Sequence, residues 1–294
     1  MTIPNIAFNH DKTNQAEFEI IELSDLYMRP VMEHDPQAPH RVSFFMLIYF
    51  EQGEGKHTVD FNQFNFEPGS LIFVQREQVH SFDFSSQPQG KLLLFTQAFL
   101  DKVHANMRLP NYTPTHLNQQ HNPLLKLDSI NHTRTHSLIE QLQLELQTPT
   151  SEPLIVMYLF SALALLLHRL RPVSSHNNLS AEHSIKLARF FSLMQQYAQQ
   201  IRDANWYASK MHTTYKTLNQ ICKLATGLTA KQMIDAYTII EIKRRLVVSN
   251  ITTQQLANDF SFDDTSNFVK YFKKQTELTP SQFVKHNALQ AVRL

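Results

Sequence analysis

One short pattern of residues occurs twice near the C-terminal end of the chain, and it constrains the fold more than any other feature. LNQICKLATGLTAKQMI at 218–234 aligns with FVKYFKKQTELTPSQFV at 268–284, an offset of 50 residues. The identical pairs are Lys223/Lys273, Thr226/Thr276, Leu228/Leu278, Thr229/Thr279 and Gln232/Gln282. Upstream, Ala208 aligns with Ala257 at an offset of 49. This pattern predicts one structural unit used twice, with one extra residue in the turn of the second copy.

Each copy is predicted to form a short helix, a turn and a longer helix. In the first copy the helices are NWYASKM (205–211) and TYKTLNQICKLA (214–225). In the second copy TTQQLANDF (252–260) precedes a longer helix that Asp263 or Asp264 is expected to cap. Residues 228–249 fit one connecting helix, which would hold the two longer helices about 34 Å apart, one turn of DNA.

Charge is distributed unevenly along the chain. Residues 1–180 contain 12 Lys and Arg against 18 Asp and Glu, whereas residues 181–294 contain 15 against 8. The first part therefore carries −6 and the second +7, so only the second is expected to contact a polyanion. A basic helix face is only a solvated surface in most proteins, but here it coincides with the duplicated unit.

The two longer helices have the residue types that recognise DNA. A helix fits the major groove, where Asn and Gln pair with adenine, Lys donates to guanine, and further lysines neutralise phosphates. The outer faces of these helices are therefore predicted to bind double-stranded promoter DNA. The candidate residues are Tyr215, Lys216, Asn219, Gln220 and Lys223 in the first unit, and Asp264, Thr265, Ser266, Val269, Lys270, Lys273 and Lys274 in the second.

Residues 183–285 resemble the DNA-binding domain of AraC/XylS-type regulators. The motifs that carry the resemblance are EIKRRL (241–246), QQLANDFSF (254–262), NFVKYFKK (267–274) and LTPSQF (278–283). The resemblance implies a transcription regulator, with activation as the more common mode in the family. Ser261 and Glu277 stand where the family usually has glycine, and we expect a positive φ at both positions, which glycine adopts without steric cost.

The N-terminal part is rich in short apolar runs separated by turn residues. VSFFMLIYF, HTVDFNQF, SLIFV, VHSFDF and KLLLF follow one another within residues 42–95, a spacing that predicts an antiparallel barrel or jelly roll. Together with Gly53, Gly55, Pro68, Gly69 and His80, this order resembles the cupin-like barrel at the front of many AraC/XylS regulators. A barrel of this size can enclose one small ligand.

The candidate effector-binding residues are His40, Arg41, Phe44 and His80. His40 and Arg41 open a long strand and are placed to meet an anionic ligand; the alternative is a solvated strand end, with Phe44 in the core. No HxH pair accompanies His57 and His80, and transition metals require at least three protein ligands, so no metal or cofactor is expected. His132 and His136, four residues apart, are interpreted as surface histidines.

Two apolar helices are predicted to follow the barrel. SLIEQLQLELQ (137–147) has an apolar stripe, and a second helix runs from Ser151 to about Arg171. The run LIVMYLFSALALLL (154–167) is shorter than the ~20 residues that span a bilayer, so we expect a buried helix. These helices pack either within the chain or, as is common in AraC-type proteins, against a second copy.

The sequence therefore predicts an α+β multidomain fold. A cupin-like β-barrel with dimerisation helices (1–172) and a linker (173–180) precede an all-α domain (181–294) with two helix-turn-helix units joined by a long helix. We expect a cytoplasmic bacterial homodimer that binds promoter DNA, responds to a small-molecule effector and has RNA polymerase as a further candidate partner. The single Cys222 and the absence of a signal-peptide pattern favour this compartment.

Two alternatives remain at this point. The first is a regulator whose barrel binds no ligand and only dimerises. The second is a cupin enzyme fused to a DNA-binding module, but the sequence has no metal-ligand set, nucleophile triad or phosphate-binding loop, so we expect no enzymatic activity.

Overall fold

The structure, a computed structural model, describes residues 4–8, 17–28, 35–60, 62–76, 78–107, 122–170, 179–248 and 251–291. These residues form two compact units, one from the ranges that end at residue 170 and one from the ranges that begin at residue 179. Most of the linker predicted at 173–180 lies outside the described residues, and the predicted domain boundaries stay predictions. The α+β fold class is confirmed.

The first unit is built on two five-stranded sheets. The strands are β1 (Asn5–Ile6), β2 (Phe18–Glu22), β3 (His40–Val42), β4 (Phe45–Gln52), β5 (Gly55–Val59), β6 (Asn62–Phe66), β7 (Ser70–Val74), β8 (Val79–Phe82), β9 (Gln89–Phe95) and β10 (Leu124–Lys126). Sheet A has the order β1-β3-β8-β5-β6, and sheet B the order β10-β7-β4-β9-β2. All pairings are antiparallel except β1 with β3, as expected for a barrel closed by hairpins.

Strand β4 is buried on both faces, which explains its unbroken apolar run. Met46, Ile48 and Phe50 belong to the core cluster that also contains the inward residues of sheet A. Residues of the alternate parity, such as Tyr49, belong to a second cluster on the other face of sheet B. Gly90 on β9 crosses β4 so closely that a Cβ there would lie 1.9 Å from the carbonyl oxygen of Tyr49, so only glycine fits.

Helix α1 (Leu23–Met28) contributes Leu23 to the core cluster between the sheets. The outer face of sheet B is covered by α2 (Gln97–Met107), α3 (Ser129–Gln147) and α4 (Pro153–Leu170). Val156, Met157, Phe160 and Leu163 of α4 are buried in the second cluster, so the helix expected to be buried is buried on one face only. Although α4 is long and apolar enough to cross a membrane, only one of its faces is covered, and 33% of its apolar window is buried.

The second unit is entirely helical over its described residues. Its helices are α5 (Ala181–Tyr197), α6 (Ala204–Lys210), α7 (Tyr215–Thr226), α8 (Ala230–Val248), α9 (Thr253–Asp259), α10 (Thr265–Thr276) and α11 (Pro280–Ala291). Helices α6 and α7 form the first helix-turn-helix unit and α9 and α10 the second, with α8 as the connecting helix. The C-terminal arrangement predicted from the repeat is therefore confirmed.

The repeated threonines terminate the two longer helices by the same hydrogen bonds. The hydroxyl of Thr226 donates to the carbonyl four residues earlier at 2.9 Å and accepts from the backbone N–H of Leu228 at 3.2 Å. The hydroxyl of Thr276 donates to the carbonyl of Phe272 at 2.9 Å and accepts from the N–H of Leu278 at 3.3 Å. These identical residues are thus explained by structure and not by DNA contact.

The next pair of repeated residues starts the following helix. The backbone N–H of Thr229 donates to the side-chain oxygen of Gln232 at 2.8 Å, and the N–H of Gln232 donates back to the Thr229 hydroxyl at 3.1 Å. Thr279 and Gln282 form the same reciprocal pair at 2.9 and 3.3 Å. This capping box satisfies backbone N–H groups that would otherwise have no partner within the helix.

Ser261 and Glu277 both adopt the left-handed backbone conformation expected of them. Their φ angles are 51° and 65°, against 74° for Gly227, the first-copy counterpart of Glu277. His212, the first-copy counterpart of Ser261, also has a positive φ of 52°. The second unit therefore keeps the turn geometry of the family without the residue that adopts it most easily.

Replacing Glu277 by glycine is expected to stabilise the second unit. The substitution relieves a conformational cost of up to about 1 kcal/mol, so the melting temperature should rise. The matched change in the first copy, Gly227→Ala, should lower it. Thermal unfolding followed by circular dichroism checks both, and an unchanged or lower melting temperature for Glu277→Gly would contradict the assignment.

Candidate functional site

The outer face of α7 brings together most of the residues predicted for the first helix-turn-helix unit. Lys216, Asn219, Gln220 and Lys223 line one open depression together with Leu224. Tyr215, at the first turn of α7, is 41% exposed. On the opposite face Leu218, Ile221 and Cys222 are fully buried, so the amphipathic pattern predicted for this helix is correct. Burial raises the pKa of the Cys222 thiol to about 12, which makes it a core residue and not a reactive group.

Asn219 has a structural role that the sequence did not indicate. Its side-chain oxygen accepts a hydrogen bond of 3.1 Å from the backbone N–H of Ala230, the first residue of α8. Recognition of adenine uses both the oxygen and the nitrogen of an amide side chain. Because the oxygen is engaged at a helix start, Gln220, which is exposed, is better placed for base recognition.

The second copy shows why Asn219 is needed only in the first. Val269 stands at the position equivalent to Asn219, and Pro280 at the position equivalent to Ala230. Proline has no backbone N–H, so the start of α11 has no donor at that position for a side chain to satisfy. Val269 is thus released from the capping role and lies half-buried on α10.

The residues predicted for the second unit lie on α10 or at its start. Asp264 is the N-cap, and its carboxylate accepts hydrogen bonds of 2.7 and 2.9 Å from the backbone and side-chain nitrogens of Asn267. This resolves the choice between Asp263 and Asp264, and it gives Asp264 a structural role besides its predicted DNA contact. The exposed candidates are Asp264, Ser266, Lys270, Lys273 and Lys274, whereas Thr265 and Val269 are half-buried.

Contacts between the two helix-turn-helix copies fix α10 relative to the first helix-turn-helix unit. Arg202, in the segment before α6, donates to the carbonyl oxygens of Phe260 and Ser261, the latter at 3.0 Å. Its guanidinium lies 3.9 Å from the ring centroid of Phe262. Arg202 therefore binds the turn that contains the strained Ser261, and its stacking on an aromatic ring adds to the hydrogen bonds.

A second contact joins α10 to the connecting helix α8. The hydroxyl of Tyr271 donates to the carboxylate of Asp235 at 2.9 Å, and Asp235 also pairs with Lys231. Burial, followed by the charge of Asp235, raises the pKa of the Tyr271 phenol, so the hydroxyl keeps the proton that it donates. This bond holds the inner side of α10 against α8.

The interior of the N-terminal β-rich unit contains a group of three histidines. His40, His57 and His80 are at most 2% exposed. The ring centroids of His40 and His80 are 4.2 Å apart, those of His57 and His80 5.4 Å apart, and Phe82 lies 4.7 Å from His57. Strand pairing explains the group, because His40 lies opposite His80 across β3 and β8, and His57 is on the neighbouring strand β5.

His57 was absent from the predicted effector set, although it is the most isolated of the three. Neither of its ring nitrogens has a hydrogen-bond partner among the described residues. Burial, with a smaller contribution from His40, lowers the pKa of His57 to about 3, so the ring is neutral at physiological pH. His57 is two residues from the inward residue Val59 on the same strand and therefore points to the same face. This spacing could have identified His57 as an interior residue.

Arg41 does not lie with the other predicted effector residues. Successive side chains of a strand point to opposite faces, and its neighbours His40 and Val42 are the buried, inward pair. Arg41 is therefore on the other face of sheet A, while Phe44 and His80 lie inside with His40. The grouping of Arg41 with His40 for one anionic ligand does not fit this geometry.

The capping role of Asn219 can be tested with a double-mutant cycle. Asn219→Ala is expected to lower the free energy of unfolding by about 0.5–2 kcal/mol, the usual effect of losing an N-cap acceptor. In an Ala230→Pro background, which copies the second unit, the same substitution should cost much less because no N–H remains to be satisfied. Denaturant unfolding of the four proteins measures the difference, and equal costs in both backgrounds would rule out the cap.

Comparisons with known proteins match both units. The family model for the AraC-like ligand binding domain matches residues 29–164, and that for a helix-turn-helix domain matches residues 207–286. The HTH-type transcriptional activators RhaR of Salmonella schwarzengrund (strain CVM19633) and Salmonella typhi are each 22% identical to this chain, over 91% of it and 92% of their own length.

Among solved structures, ToxT from Vibrio cholerae aligns over 92% of this chain and 98% of its own, with 11% identity and a TM-score of 0.43. Wild-type ToxT from strain SCE256 with bound unsaturated fatty acid aligns over 93% and 96%, with 12% identity and a TM-score of 0.42. The ligand-binding model matches the N-terminal β-rich unit and the helix-turn-helix model matches the C-terminal helical unit, and the two models together cover most of the chain. The protein is therefore a member of the AraC/XylS family of transcription regulators, with an N-terminal ligand-binding domain and a C-terminal helix-turn-helix DNA-binding domain.

Proposed function

We propose that the protein activates transcription by inserting α7 and α10 into successive major grooves of a promoter. The observation that carries this proposal is the pair of equivalent helices, each with exposed polar and basic residues, held by Arg202 and by Tyr271 within one unit. The curated relatives named above are activators, which supports activation and not repression. RNA polymerase is the partner that activation implies, and the cytoplasm is the compartment.

We further propose that a small molecule bound inside the N-terminal β-rich unit controls the activation of transcription. The interior offers the imidazoles of His40, His57 and His80, of which that of His57 is neutral, among aromatic rings such as Phe82. A neutral imidazole has one donor and one acceptor, so this environment favours a mainly apolar effector with one or two hydrogen-bonding groups. The half-buried cation of Arg41 on the other face gives no support to an anionic one.

A ligand-independent regulator is the second candidate, and it differs in one measurable property. An effector that binds the folded state raises the melting temperature by mass action. A thermal-shift screen of small, mainly apolar compounds with one or two hydrogen-bonding groups, repeated on His57→Phe, separates the two candidate functions. A compound that raises the melting temperature of the native protein but not that of the variant supports effector control. An enzymatic role is not proposed, since the family is one of regulators.

A second copy of this chain is the proposed partner of the uncovered face of α4. Leu154, Ile155, Tyr158 and Leu165 are 45–57% exposed on this helix, and α3 adds Leu144, which is 55% exposed. An apolar surface of this kind on a globular unit usually marks an interface. Dimerisation through α3 and α4 would give one regulator four reading helices.

Charge introduced on this face is expected to separate the dimer. Leu154→Glu together with Tyr158→Glu places two carboxylates in the proposed interface, where burying unpaired charge is costly. Sedimentation velocity should show a dimer for the native protein and a monomer for the variant, with Glu54→Lys, at an exposed position between β4 and β5, as a charge-change control. A native protein that is already monomeric at micromolar concentration would reject the proposal.

Base contacts and phosphate contacts should respond differently to mutation. Gln220→Ala is expected to weaken binding to the promoter site by about 1–3 kcal/mol and to relax sequence preference, because it removes a hydrogen-bonding group that faces the bases. Lys273→Ala with Lys274→Ala should weaken binding to all sequences and reduce the salt slope by about 0.9 for each phosphate that is no longer neutralised.

Fluorescence anisotropy with site-containing and scrambled duplexes at several salt concentrations measures both effects. Lys186→Ala on α5 is the matched control, because Lys186 pairs with Glu182 outside the reading helices. If Gln220→Ala and the double lysine variant changed specificity and salt slope alike, the assigned roles would be wrong.

A further inference from the structure

The outer face of sheet B contains a polar cluster where α3 crosses β4. Glu51 comes from β4, and His136 and Glu140 come from α3. One ligand atom from each of these three side chains lies within 4.8 Å of the other two. Nδ1 of His136 lies 3.2 Å from Oε1 of Glu51. All three residues are half-buried, so the cluster is reachable from solvent.

The secondary structure explains why the three side chains meet. His136 and Glu140 are four residues apart and therefore share one face of α3. Tyr49 and Glu51 are two residues apart on β4 and therefore point to the same face of sheet B. Tyr49 belongs to the core cluster between this sheet and the helices. His132 and His136, which were expected to be surface histidines, are both half-buried. No sequence pattern indicated the cluster, because Glu51 comes from a strand far away in the chain.

A buried hydroxyl beside the cluster points to an additional bound group. Tyr49 is 0% exposed, and its hydroxyl has no hydrogen-bond partner among the described residues. Its ring centroid is 5.7 Å from that of His132 and 6.4 Å from that of His136. Buried phenol groups usually donate to a partner.

The cluster also has an excess of negative charge. Lys91 pairs with Glu22 at 2.9 Å and with Glu140 at 3.2 Å. The carboxylate of Glu51 lies in the same cluster as that of Glu140, so three carboxylates are present with one ammonium group. A divalent cation would balance the remaining two charges, and Lys91 would keep Glu22 as its partner.

We propose that Glu51, His136 and Glu140 bind one divalent transition-metal ion, with zinc as the best match. One imidazole nitrogen and two carboxylate oxygens form a ligand set that zinc accepts, with water in the fourth position. Magnesium and calcium prefer oxygen ligands alone, so the histidine argues against them. The Tyr49 hydroxyl would donate to a ligand carboxylate or to the bound water. The ion would link β4 to α3, apart from the histidines of the interior.

The test measures zinc binding to the tag-free full-length protein. After treatment with a chelator, the native protein is titrated with zinc chloride and followed by calorimetry, and its melting temperature is recorded with and without zinc. We expect one equivalent to bind and to raise the melting temperature. Cobalt(II) serves as a spectroscopic probe, whose visible absorption reports coordination to nitrogen and oxygen.

The variants assign the site. His136→Asn and Glu51→Gln retain size and should each abolish the zinc-dependent rise in melting temperature and the cobalt spectrum, whereas Tyr49→Phe should weaken binding several-fold. His168→Ala removes an exposed histidine of α4 and should bind zinc like the native protein. Failure of the native protein to bind one equivalent, or unchanged binding by folded His136→Asn and Glu51→Gln, would overturn the proposal. Loss of binding in His168→Ala would do the same.

Discussion

Two helices can read one DNA site only if their relative orientation is fixed, and the contacts of Arg202 and Tyr271 fix it. Arg202 extends from the first copy to the carbonyl oxygens of the turn at Phe260 and Ser261, and Tyr271 connects α10 to α8 through Asp235. Without these bonds α10 would rest mainly on apolar packing, which is less directional than a hydrogen bond. The orientation of the second reading helix therefore depends on a residue outside the second copy.

The identical residues of the repeat have two different meanings. Thr226, Thr229 and Gln232, with their second-copy equivalents, form the same hydrogen bonds at the same turns. They maintain the geometry between a reading helix and the helix that follows. The residues expected to recognise bases lie at non-identical positions, such as Gln220 and Lys270. The identical residues at the turns thus belong to the scaffold, whereas Lys223 and Lys273 are an identical pair that is predicted to contact DNA.

The sequence predicted the repeat, both helix pairs and the left-handed turns at Ser261 and Glu277 because each depends on residues close together in the chain. The sequence did not indicate the structural role of Asn219, because the N–H that it satisfies belongs to the next helix and only the tertiary arrangement brings the two together. Arg41 could have been placed correctly from strand alternation alone. The cluster of Glu51, His136 and Glu140 could not, because no local pattern predicts which residue of α3 crosses which residue of β4.

The proline at the start of α11 has a consequence for how this regulator can change over generations. In the first copy, replacing Asn219 by a side chain without an acceptor leaves the N–H of Ala230 without that partner, so the new side chain must offset a loss of stability. In the second copy Pro280 removes that demand, and position 269 is open to side chains of many kinds. Mutational freedom is thus unequal between the two halves, and new target sequences should be acquired more readily through the second half than through the first.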